Sequence, residues 1–270
     1  MHLPKLSEKI AVITGGGGAI CGAMAEALAQ QGTRIAIWDL SPKAADTVAE
    51  RITSKGGKAM GINCDVMDVA AIDAALHATL NAYGGIDILI NGAGGSRKEA
   101  TTSSELSFFD ILPEEIRRTM DLNYLSAVLP SQSVGRVFAE QGHGVILNIT
   151  SIAGLLPLSR SLAYSNGKAA AVSFTQWLAV HMAKEYSPKI RVNAIAPGFV
   201  LTDQNRFLLV DENGDYTERG EQVIGEVPLR RYGDPRDMAG TALWLVSDAA
   251  AFVTGAVIPV DGGYMAYSGV

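Results

Sequence analysis

Short runs of apolar, largely β-branched residues alternate along the chain with longer segments in which apolar residues recur every three or four positions. The short runs are typical of strands buried on both faces, and the longer segments have the spacing of amphipathic helices. The runs that we predict to be strands cover residues 10–14, 34–38, 59–63, 86–90, 144–150, 190–195 and 256–259. The segments that we predict to be helices cover residues 19–31, 42–55, 68–83, 113–140, 161–186 and 235–247.

The regular alternation of strands and helices predicts one α/β domain over residues 1–270. Helices that join parallel strands make right-handed crossovers, so we expect a doubly wound, seven-stranded parallel sheet with helices on both faces. Two long polar connections, at residues 92–112 and 201–232, leave the carboxyl ends of strands, where ligands bind in such sheets. We expect both to be substrate loops, with surface insertions of no function as the alternative.

Composition and charge exclude several classes of protein. A formal charge of −6 without any basic block argues against nucleic acid as the main partner. No apolar run approaches the ~20 residues that span a bilayer, and residues 1–10 are too polar for a signal peptide. Cys21 and Cys64 are too few for a disulfide framework or a Cys-rich zinc site. We therefore expect a cytoplasmic protein with two buried free thiols, no metal site and no membrane partner.

A glycine cluster directly after the first predicted strand has the features of a phosphate-binding loop. The segment 14–22 reads Thr-Gly-Gly-Gly-Gly-Ala-Ile-Cys-Gly and opens a helix, so its backbone can approach a pyrophosphate at the helix N-terminus. Asp39 ends the second strand, where a carboxylate binds the ribose hydroxyls of NAD and repels the extra phosphate of NADP. The alternative for Asp39 is a solvated side chain at a strand end.

The third and fourth predicted strands end in segments that converge on the same crevice. Asp65 and Val66 are expected at the adenine, and the segment Asn91-Gly92-Ala93-Gly94 is expected to pass beneath the ribose and nicotinamide. This convergence predicts that NAD(H) is the cofactor. The predicted contacts are Gly15, Gly17, Gly18, Ala19, Ile20, Asp39, Asp65, Val66, Asn91, Ala93 and Gly94.

A tyrosine and a lysine one helical turn apart lie near the start of the fifth predicted helix. Tyr164 and Lys168 are four residues apart, so their side chains project from the same helix face. A free phenol has a pKa of about 10, but a neighbouring ammonium and a positively charged nicotinamide favour the phenolate. We therefore expect a lowered pKa for Tyr164 and a role in general acid–base catalysis. Ser151, after the fifth strand, would hold the substrate oxygen. The alternative is that Tyr164 and Lys168 are exposed surface residues without a catalytic role, since such pairs are common on helix surfaces.

Together these motifs closely resemble the short-chain dehydrogenase/reductase family, whose members have a Rossmann fold and are commonly homotetramers. The resemblance covers essentially the whole chain, and it also includes Asn123, Pro197-Gly198 and Val260-Asp261-Gly262-Gly263. It implies a catalytic tetrad of Asn123, Ser151, Tyr164 and Lys168, in which the asparagine holds a water in a proton relay to the lysine. It also implies that the nicotinamide and its ribose are contacted by Tyr164, Lys168, Pro197, Gly198, Val200 and Thr202.

The glycine loop departs from the family pattern at two positions. The family sequence Thr-Gly-x-x-x-Gly-x-Gly has its second and third glycines where this chain has Ala19 and Cys21. Cys21 is bulkier than glycine at a place where helix and strand pack closely, so we expect Gly22 to absorb part of the strain by a local shift.

Several segments further resemble the D-mannonate oxidoreductase (D-fructuronate reductase) branch of the family, which acts on sugar acids. They are residues 17–25, 107–110, 174–179, 197–199, 202–206 and 266–270, of which 202–206 reads Thr202-Asp203-Gln204-Asn205-Arg206. The branch implies interconversion of D-mannonate and D-fructuronate. Dehydrogenases of another polyol or sugar acid such as gluconate, a 3-oxoacyl thioester reductase and a non-catalytic nucleotide sensor remain the alternatives.

A sugar-acid substrate carries a carboxylate, which needs a cationic partner in a partly desolvated cleft. An arginine is suited to this task because its planar guanidinium can bind both oxygens. The candidates are Arg160, Arg97, Lys98 and Arg206, each of which has a solvated surface cation as its alternative. Arg160 is the leading candidate because its position in the chain ties it to Ser151 and Tyr164.

Overall fold

A parallel sheet of seven strands forms the centre of the structure, a computed structural model that describes residues 6–202 and 206–269. The strands are β1 Ile10–Thr14, β2 Arg34–Asp39, β3 Lys58–Asn63, β4 Ile88–Asn91, β5 Gly144–Ile149, β6 Ile190–Pro197 and β7 Val257–Val260. Their order is β3-β2-β1-β4-β5-β6-β7, and all neighbouring strands are parallel. The predicted doubly wound Rossmann fold is confirmed. Because the strand order reverses between β1 and β4, a crevice opens there at the carboxyl ends.

Helices cover both faces of this sheet. Those in the described part of the chain are α1 Ala19–Gln30, α2 Pro42–Thr53, α3 Val69–Tyr83, α4 Pro113–Gln141, α5 Leu162–Glu185, α6 Arg206–Leu209, α7 Glu218–Gly225 and α8 Asp237–Val246. Residues of α1, α2 and α8 belong to the apolar core on one face, and residues of α3, α4 and α5 belong to the core on the other. Every predicted helix is present, with small shifts at its ends.

The prediction that every strand is buried on both faces is wrong for the two outermost strands. β1, β4 and β6 are buried along their whole length, whereas β3 and β7 are largely half-buried. Each of these two edge strands has a neighbour on one side only, so the sheet and its helices cover it incompletely. An apolar run predicts a strand but does not reveal that the strand lies at an edge.

The connection at 201–232 contains two helices that the sequence analysis did not predict, α6 and α7. They pack around a small apolar cluster of Leu209, Val210, Ile224 and Tyr232, which gives this part of the chain a core of its own. A signal for α7 was available, because Thr217 precedes two acidic residues and its Oγ1 accepts a hydrogen bond from the Gly220 amide at 3.1 Å. The residues Asp203, Gln204 and Asn205, together with 1–5 and Val270, lie outside the described residues.

The connection at 92–112, which follows β4, contains little regular structure. Two short 3₁₀ turns, Lys98–Ala100 and Phe108–Asp110, interrupt this connection.

Cys21 and Cys64 are both buried and unpaired, as the sequence predicted. None of the helices in the described ranges is long and apolar enough to cross a membrane.

Candidate active site

The turn after β1 and the turn after β4 contact each other at the carboxyl edge of the sheet, where the crevice opens. Gly15 has a φ of +60°, and an ideal Cβ at this position would lie 2.8 Å from the Cα of Ala93. The Oγ1 of Thr14 accepts hydrogen bonds from the amides of Gly92 at 3.1 Å and Ala93 at 3.4 Å. A side chain at position 15 would therefore separate the glycine loop from the turn after β4.

The N-terminus of α1 has the features of an anion-binding site. Gly18 is the N-cap residue, no described side chain caps the helix there, and its first turn contains no acidic residue. Ala19 is exposed and Ile20 is half-buried, so the amides of the first helical turn, which have no partner within the helix, are accessible. Unpaired amides and the helix dipole favour a negatively charged group. These residues fit the pyrophosphate of a dinucleotide.

Asp39 ends β2 beside the glycine loop. Its Oδ2 accepts a hydrogen bond from the Gly17 amide at 3.0 Å, and its Oδ1 accepts one from the Ser41 amide at 2.9 Å. The carboxylate is half-buried and held by the backbone on both sides. It can accept hydrogen bonds from ribose hydroxyls, and its charge opposes a phosphate at the same place. Among the predicted adenine contacts, Asp65 is exposed and Val66 is buried, and both follow the end of β3.

The side chain of Asn91 is engaged in the protein interior. Its Nδ2 donates to Asn148 Oδ1 and to Ser131 Oγ, both at 2.9 Å, and to the Ala127 carbonyl at 3.3 Å. The residue is paired with Asn148 in the register of β4 and β5, so both side chains project from the same face of the sheet. The groups of the segment 91–94 that line the crevice are therefore mainly those of the backbone.

The four residues of the predicted tetrad come together where β5, α4 and α5 meet. Lys168 is buried on α5, and its Nζ donates to the Ile149 carbonyl at 2.9 Å and lies 5.8 Å from the centre of the Tyr164 ring. The Ser151 hydroxyl is placed to hydrogen-bond the Tyr164 phenol, an interaction that lowers the pKa of Tyr164. Asn123 on α4 lies next to Lys168, because an ideal Cβ on Gly94 would be 2.9 Å from Asn123 Oδ1 and 3.2 Å from Lys168 Nζ.

Asn123 is held by hydrogen bonds that leave its amide little freedom. Its Nδ2 donates to the carbonyls of Gly95 and Thr119, each at 2.8 Å, and its Oδ1 accepts from the Gly95 amide at 3.1 Å. The side chain therefore links α4 to the segment that follows β4. Gly167, which the sequence analysis did not single out, allows this arrangement. An ideal Cβ on Gly167 would lie 2.8 Å from the Cβ of Asn123 and hold α5 away from α4.

The electrostatics of the tetrad differ from the expectation drawn from the sequence. Burial raises the pKa of Tyr164 above its ordinary value, and the hydrogen bond to Ser151 offsets only part of this effect. Burial also lowers the pKa of Lys168 to about 8. The expectation of a lowered pKa for Tyr164 is wrong for the chain's own groups, because desolvation penalises the phenolate and the ammonium alike. The chain holds Tyr164 as a neutral phenol, the form that can donate a proton.

The residues predicted to bracket the nicotinamide follow the end of β6. Pro197 is the last residue of the strand, and the Gly198 amide donates to the Val260 carbonyl at 3.0 Å. Val200 is buried and forms an isolated bridge with Gly233, and Thr202 is half-buried. These residues therefore leave the sheet at the same edge as the tetrad and the glycine loop.

The four candidate cations have different surroundings. Arg97 is not available as a free cation, because it forms ion pairs with Glu115 at 3.2 Å and with Glu99 at 3.7 Å. Lys98 is exposed and also makes contacts, and Arg206 is exposed on α6. Arg160 is exposed, and no hydrogen bond or ion pair engages its side chain among residues 6–202 and 206–269.

Comparisons with known proteins agree with this geometry. A family model described as enoyl-(acyl carrier protein) reductase matches residues 17–265. An uncharacterized oxidoreductase of Bacillus subtilis, UxuB, is 40% identical over 274 residues, which cover 98% of each chain.

Two solved structures are similar along nearly their whole length. A candidate D-mannonate oxidoreductase from Haemophilus influenzae, with bound NAD, has a TM-score of 0.93 and 40% identity, covering 99% of this chain and 98% of its own. A candidate NAD(P)-dependent gluconate 5-dehydrogenase from Beutenbergia cavernae contains NADP at low occupancy. It has a TM-score of 0.84 and 31% identity, covering 97% of this chain and 99% of its own.

Proposed function

Because the chain belongs to the short-chain dehydrogenase/reductase family, NAD(P)-dependent oxidoreductases that act on CH–OH groups, we propose that it is an NAD(H)-dependent sugar-acid dehydrogenase. The substrate pair in this proposal is D-mannonate and D-fructuronate. The observation that carries the proposal is Arg160, an exposed arginine whose side chain has no partner among residues 6–202 and 206–269 and which precedes Tyr164 by four residues. Tyr164 itself is half-buried and lies against the buried Lys168. In our proposal the Arg160 guanidinium binds the substrate carboxylate near the group that handles the proton.

The tetrad supports proton transfer at a carbonyl oxygen. When bound, NADH supplies the hydride that reduces the carbonyl carbon. In our proposal the Tyr164 hydroxyl donates its proton to the carbonyl oxygen, and the Ser151 hydroxyl holds that oxygen by a hydrogen bond. The Lys168 ammonium stabilises the phenolate that remains, and Asn123 holds a water that returns the proton through Lys168. The raised pKa of Tyr164 keeps this proton in place until a substrate accepts it.

The preference for NAD(H) over NADP(H) rests on Asp39. Its carboxylate is fixed by the amides of Gly17 and Ser41 at the end of β2, where the 2′-hydroxyl of an adenosine ribose would bind. A 2′-phosphate at this place would meet a negative charge that cannot turn away without losing two hydrogen bonds. NAD is bound by the similar Haemophilus influenzae protein, whereas NADP is bound by the Beutenbergia cavernae protein.

The decisive experiment is a comparison of ketones in an assay that follows NADH oxidation. D-Fructuronate, 5-keto-D-gluconate, an uncharged ketohexose and a 3-oxoacyl thioester would be tested at equal concentrations. We expect the highest kcat/KM for D-fructuronate and low activity on the uncharged ketose, since the ketose lacks the carboxylate. Equal turnover of the ketohexose or a preference for the thioester would contradict the sugar-acid proposal, whereas a preference for 5-keto-D-gluconate would keep the sugar-acid class and replace D-fructuronate as the substrate.

A further inference from the structure

The side chain of Cys21 occupies the space that glycine leaves at position 92. An ideal Cβ built on Gly92 would clash with the Sγ of Cys21 and would lie 3.5 Å from its Cβ. Cys21 is 4% exposed in the first turns of α1, and it stands where the family's glycine loop has its third glycine. The gap between α1 and the turn after β4 is therefore filled by the sulfur of Cys21, and position 92 has no side chain that could fill it.

The close fit at Gly92 has a steric origin. Gly92 does not have a positive φ, so its backbone would accept an alanine without strain. Apart from the sulfur, the nearest atom to an ideal Cβ at this position is the Thr14 carbonyl oxygen at 3.0 Å, which requires a shift of a few tenths of an ångström. Cys21 is thus the main obstacle to a side chain at position 92. Gly22, at which we expect a local shift that absorbs part of the strain of Cys21, faces α2, where an ideal Cβ would be 3.3 Å from Arg51 Nη2 and 3.4 Å from Val48 Cγ2.

The turn that Cys21 contacts leads directly to the catalytic residues. Its first two amides, those of Gly92 and Ala93, are held by the Thr14 hydroxyl. Its next residue, Gly94, lies beside Asn123 Oδ1 and Lys168 Nζ. A displacement at Gly92 would therefore move the backbone that lies beside the Lys168 amine and the Asn123 amide. Packed interiors transmit such small shifts because they contain few voids.

We propose that Cys21 is a positioning residue whose sulfur sets the distance between α1 and the 92–94 turn, and thereby the place of Lys168 and Asn123 relative to the bound cofactor. Cys21 and Gly92 then form a steric pair in which one position carries the side chain that the other lacks. The proposal depends on the nicotinamide chemistry of the family but not on the identity of the sugar acid. It also gives a role to the cysteine that stands at the third glycine position of the family's loop, namely to position the residues that contact the cofactor.

The test exchanges the side chain between the two positions. Cys21→Ala, Gly92→Ala and the double variant would be compared with the parent chain in titrations with NADH and NADPH, read by nucleotide fluorescence without substrate. We expect Gly92→Ala to raise the Kd of the preferred nucleotide by at least about tenfold, a cost of ~1.4 kcal/mol. The double variant should return to within about threefold of the parent, because its methyl group takes the place of the sulfur.

A second readout separates positioning from packing alone. We expect Cys21→Ala to shift the alkaline limb of the kcat/KM profile that reports Lys168, whereas Cys64→Ala, which removes the other buried thiol, should lower only the thermal stability. The proposal is overturned if Gly92→Ala has the same effect with cysteine or alanine at position 21. It also fails if Cys21→Ala lowers Tm alone and leaves Kd and the pH profile unchanged.

Misfolding of a single variant would not leave the question open. If Gly92→Ala fails to fold, recovery of a folded, nucleotide-binding protein in the double variant supports the steric pair, and failure of both contradicts it. Because both nucleotides are titrated, a preference for NADPH would refute the proposed cofactor choice without affecting this comparison. An altered substrate preference would likewise affect the proposed function alone.

Discussion

Tyr164 and Lys168 show how burial decides the chemistry of single residues. The ammonium lies 5.8 Å from the phenol ring, a distance at which a solvated pair would favour the phenolate. Burial nevertheless raises the pKa of Tyr164 and lowers that of Lys168 to about 8, so Tyr164 is held as the neutral phenol while Lys168 keeps its charge only below about pH 8. A protonated phenol can donate its proton during ketone reduction. In the oxidative direction Tyr164 must first lose that proton, and this requires a further positive charge nearby to lower the pKa of the phenol.

Replacement of Tyr164 tests the proposed proton transfer directly. Tyr164→Phe removes the hydroxyl and keeps the ring, so we expect turnover to fall by at least ~100-fold. The Kd of NADH should change by less than about twofold, because the proposed cofactor contacts of the backbone remain. Stopped-flow reduction and a separate nucleotide titration measure the two quantities. Retention of most of the turnover would exclude Tyr164 as the acid–base residue.

The lowered pKa of Lys168 predicts a pH dependence with a definite sign. Below a pKa of about 8 the amine is charged, and it loses its charge as the pH rises through this value. We therefore expect kcat/KM for NADH in ketone reduction to fall above about pH 8, since this parameter reports the free enzyme. Lys168→Arg keeps the charge and should move the fall to higher pH. A profile that is flat to about pH 10 would contradict the assignment.

The geometry of Asp39 predicts the choice of cofactor. Two ribose hydrogen bonds and a repelled phosphate amount to a few kcal/mol, so we expect about a hundredfold preference for NADH. Asp39→Ser should narrow this preference by at least about tenfold, and the isosteric Asp39→Asn should also narrow it, because the asparagine lacks the charge and can accept only one of the two backbone hydrogen bonds. The measurement is the ratio of kcat/KM values for NADH and NADPH. Equal efficiency of both cofactors in the parent chain would refute the role of Asp39.

At the scale of elements, the segment before α5 and the connection at 92–112 are joined by their backbones. The carbonyl of Arg160 accepts a hydrogen bond from the Thr102 amide at 3.0 Å. Arg160 adopts a φ of +72°, a conformation that costs a residue with a Cβ about 1 kcal/mol. The backbone of Arg160 is therefore fixed both by its own strained conformation and by the connection at 92–112.

The Arg160 side chain is expected to contribute to substrate affinity. Arg160→Met removes the charge and should raise KM for D-fructuronate at least about tenfold, a loss of ~1.4 kcal/mol, with less effect on any uncharged ketone. Lys189→Met is a matched control, because Lys189 is exposed at the opposite, amino-terminal edge of the sheet. Arg160→Gly relieves the backbone strain and also lacks the charge. Arg and Met at this position carry the same strain, so we expect KM to rise in Arg160→Gly as it does in Arg160→Met. A KM close to that of the parent chain in Arg160→Gly would contradict the role of the charge.

At the scale of the molecule, several large apolar side chains are exposed away from the crevice. Trp177 and Val180 on α5 are 59% and 60% exposed, and Phe252 after α8 is fully exposed. Tyr267, in the C-terminal segment, is also exposed. Clusters of exposed apolar residues often mark protein interfaces. Such positions on α5 and near the C-terminus are compatible with more than one contact between copies of the chain.

We predict that the chain forms a homotetramer. Light scattering coupled to size-exclusion chromatography should give about four times the chain mass of 28.4 kDa. Trp177→Glu places a charge on the exposed face of α5 and should shift the mass to a smaller species without unfolding the chain. A monomeric parent protein at micromolar concentration would contradict the prediction.

Local sequence patterns were sufficient for the elements and for the spacing of groups within one element. Apolar runs located the strands and apolar periodicity located the long helices, because a strand buried on both faces is apolar throughout and a helix buried on one face is apolar every three or four residues. The four-residue separation of Tyr164 and Lys168 placed both on one face of α5 before any fold was known. The end of β2 likewise located Asp39, since parallel strands bring their carboxyl ends to one edge.

Contacts between distant segments determined the remaining features. The register of β4 and β5 places the Asn91 amide in the core, where it binds Asn148. Glu115 forms an ion pair with Arg97, which the sequence alone offered as a candidate for binding the substrate carboxylate. Packing placed the sulfur of Cys21 in the gap at Gly92, seventy-one positions further along the chain. Desolvation set the pKa of Tyr164, and this depends on every atom that excludes water from the site. None of these interactions has a local signal, because each requires two segments that only the folded chain brings together.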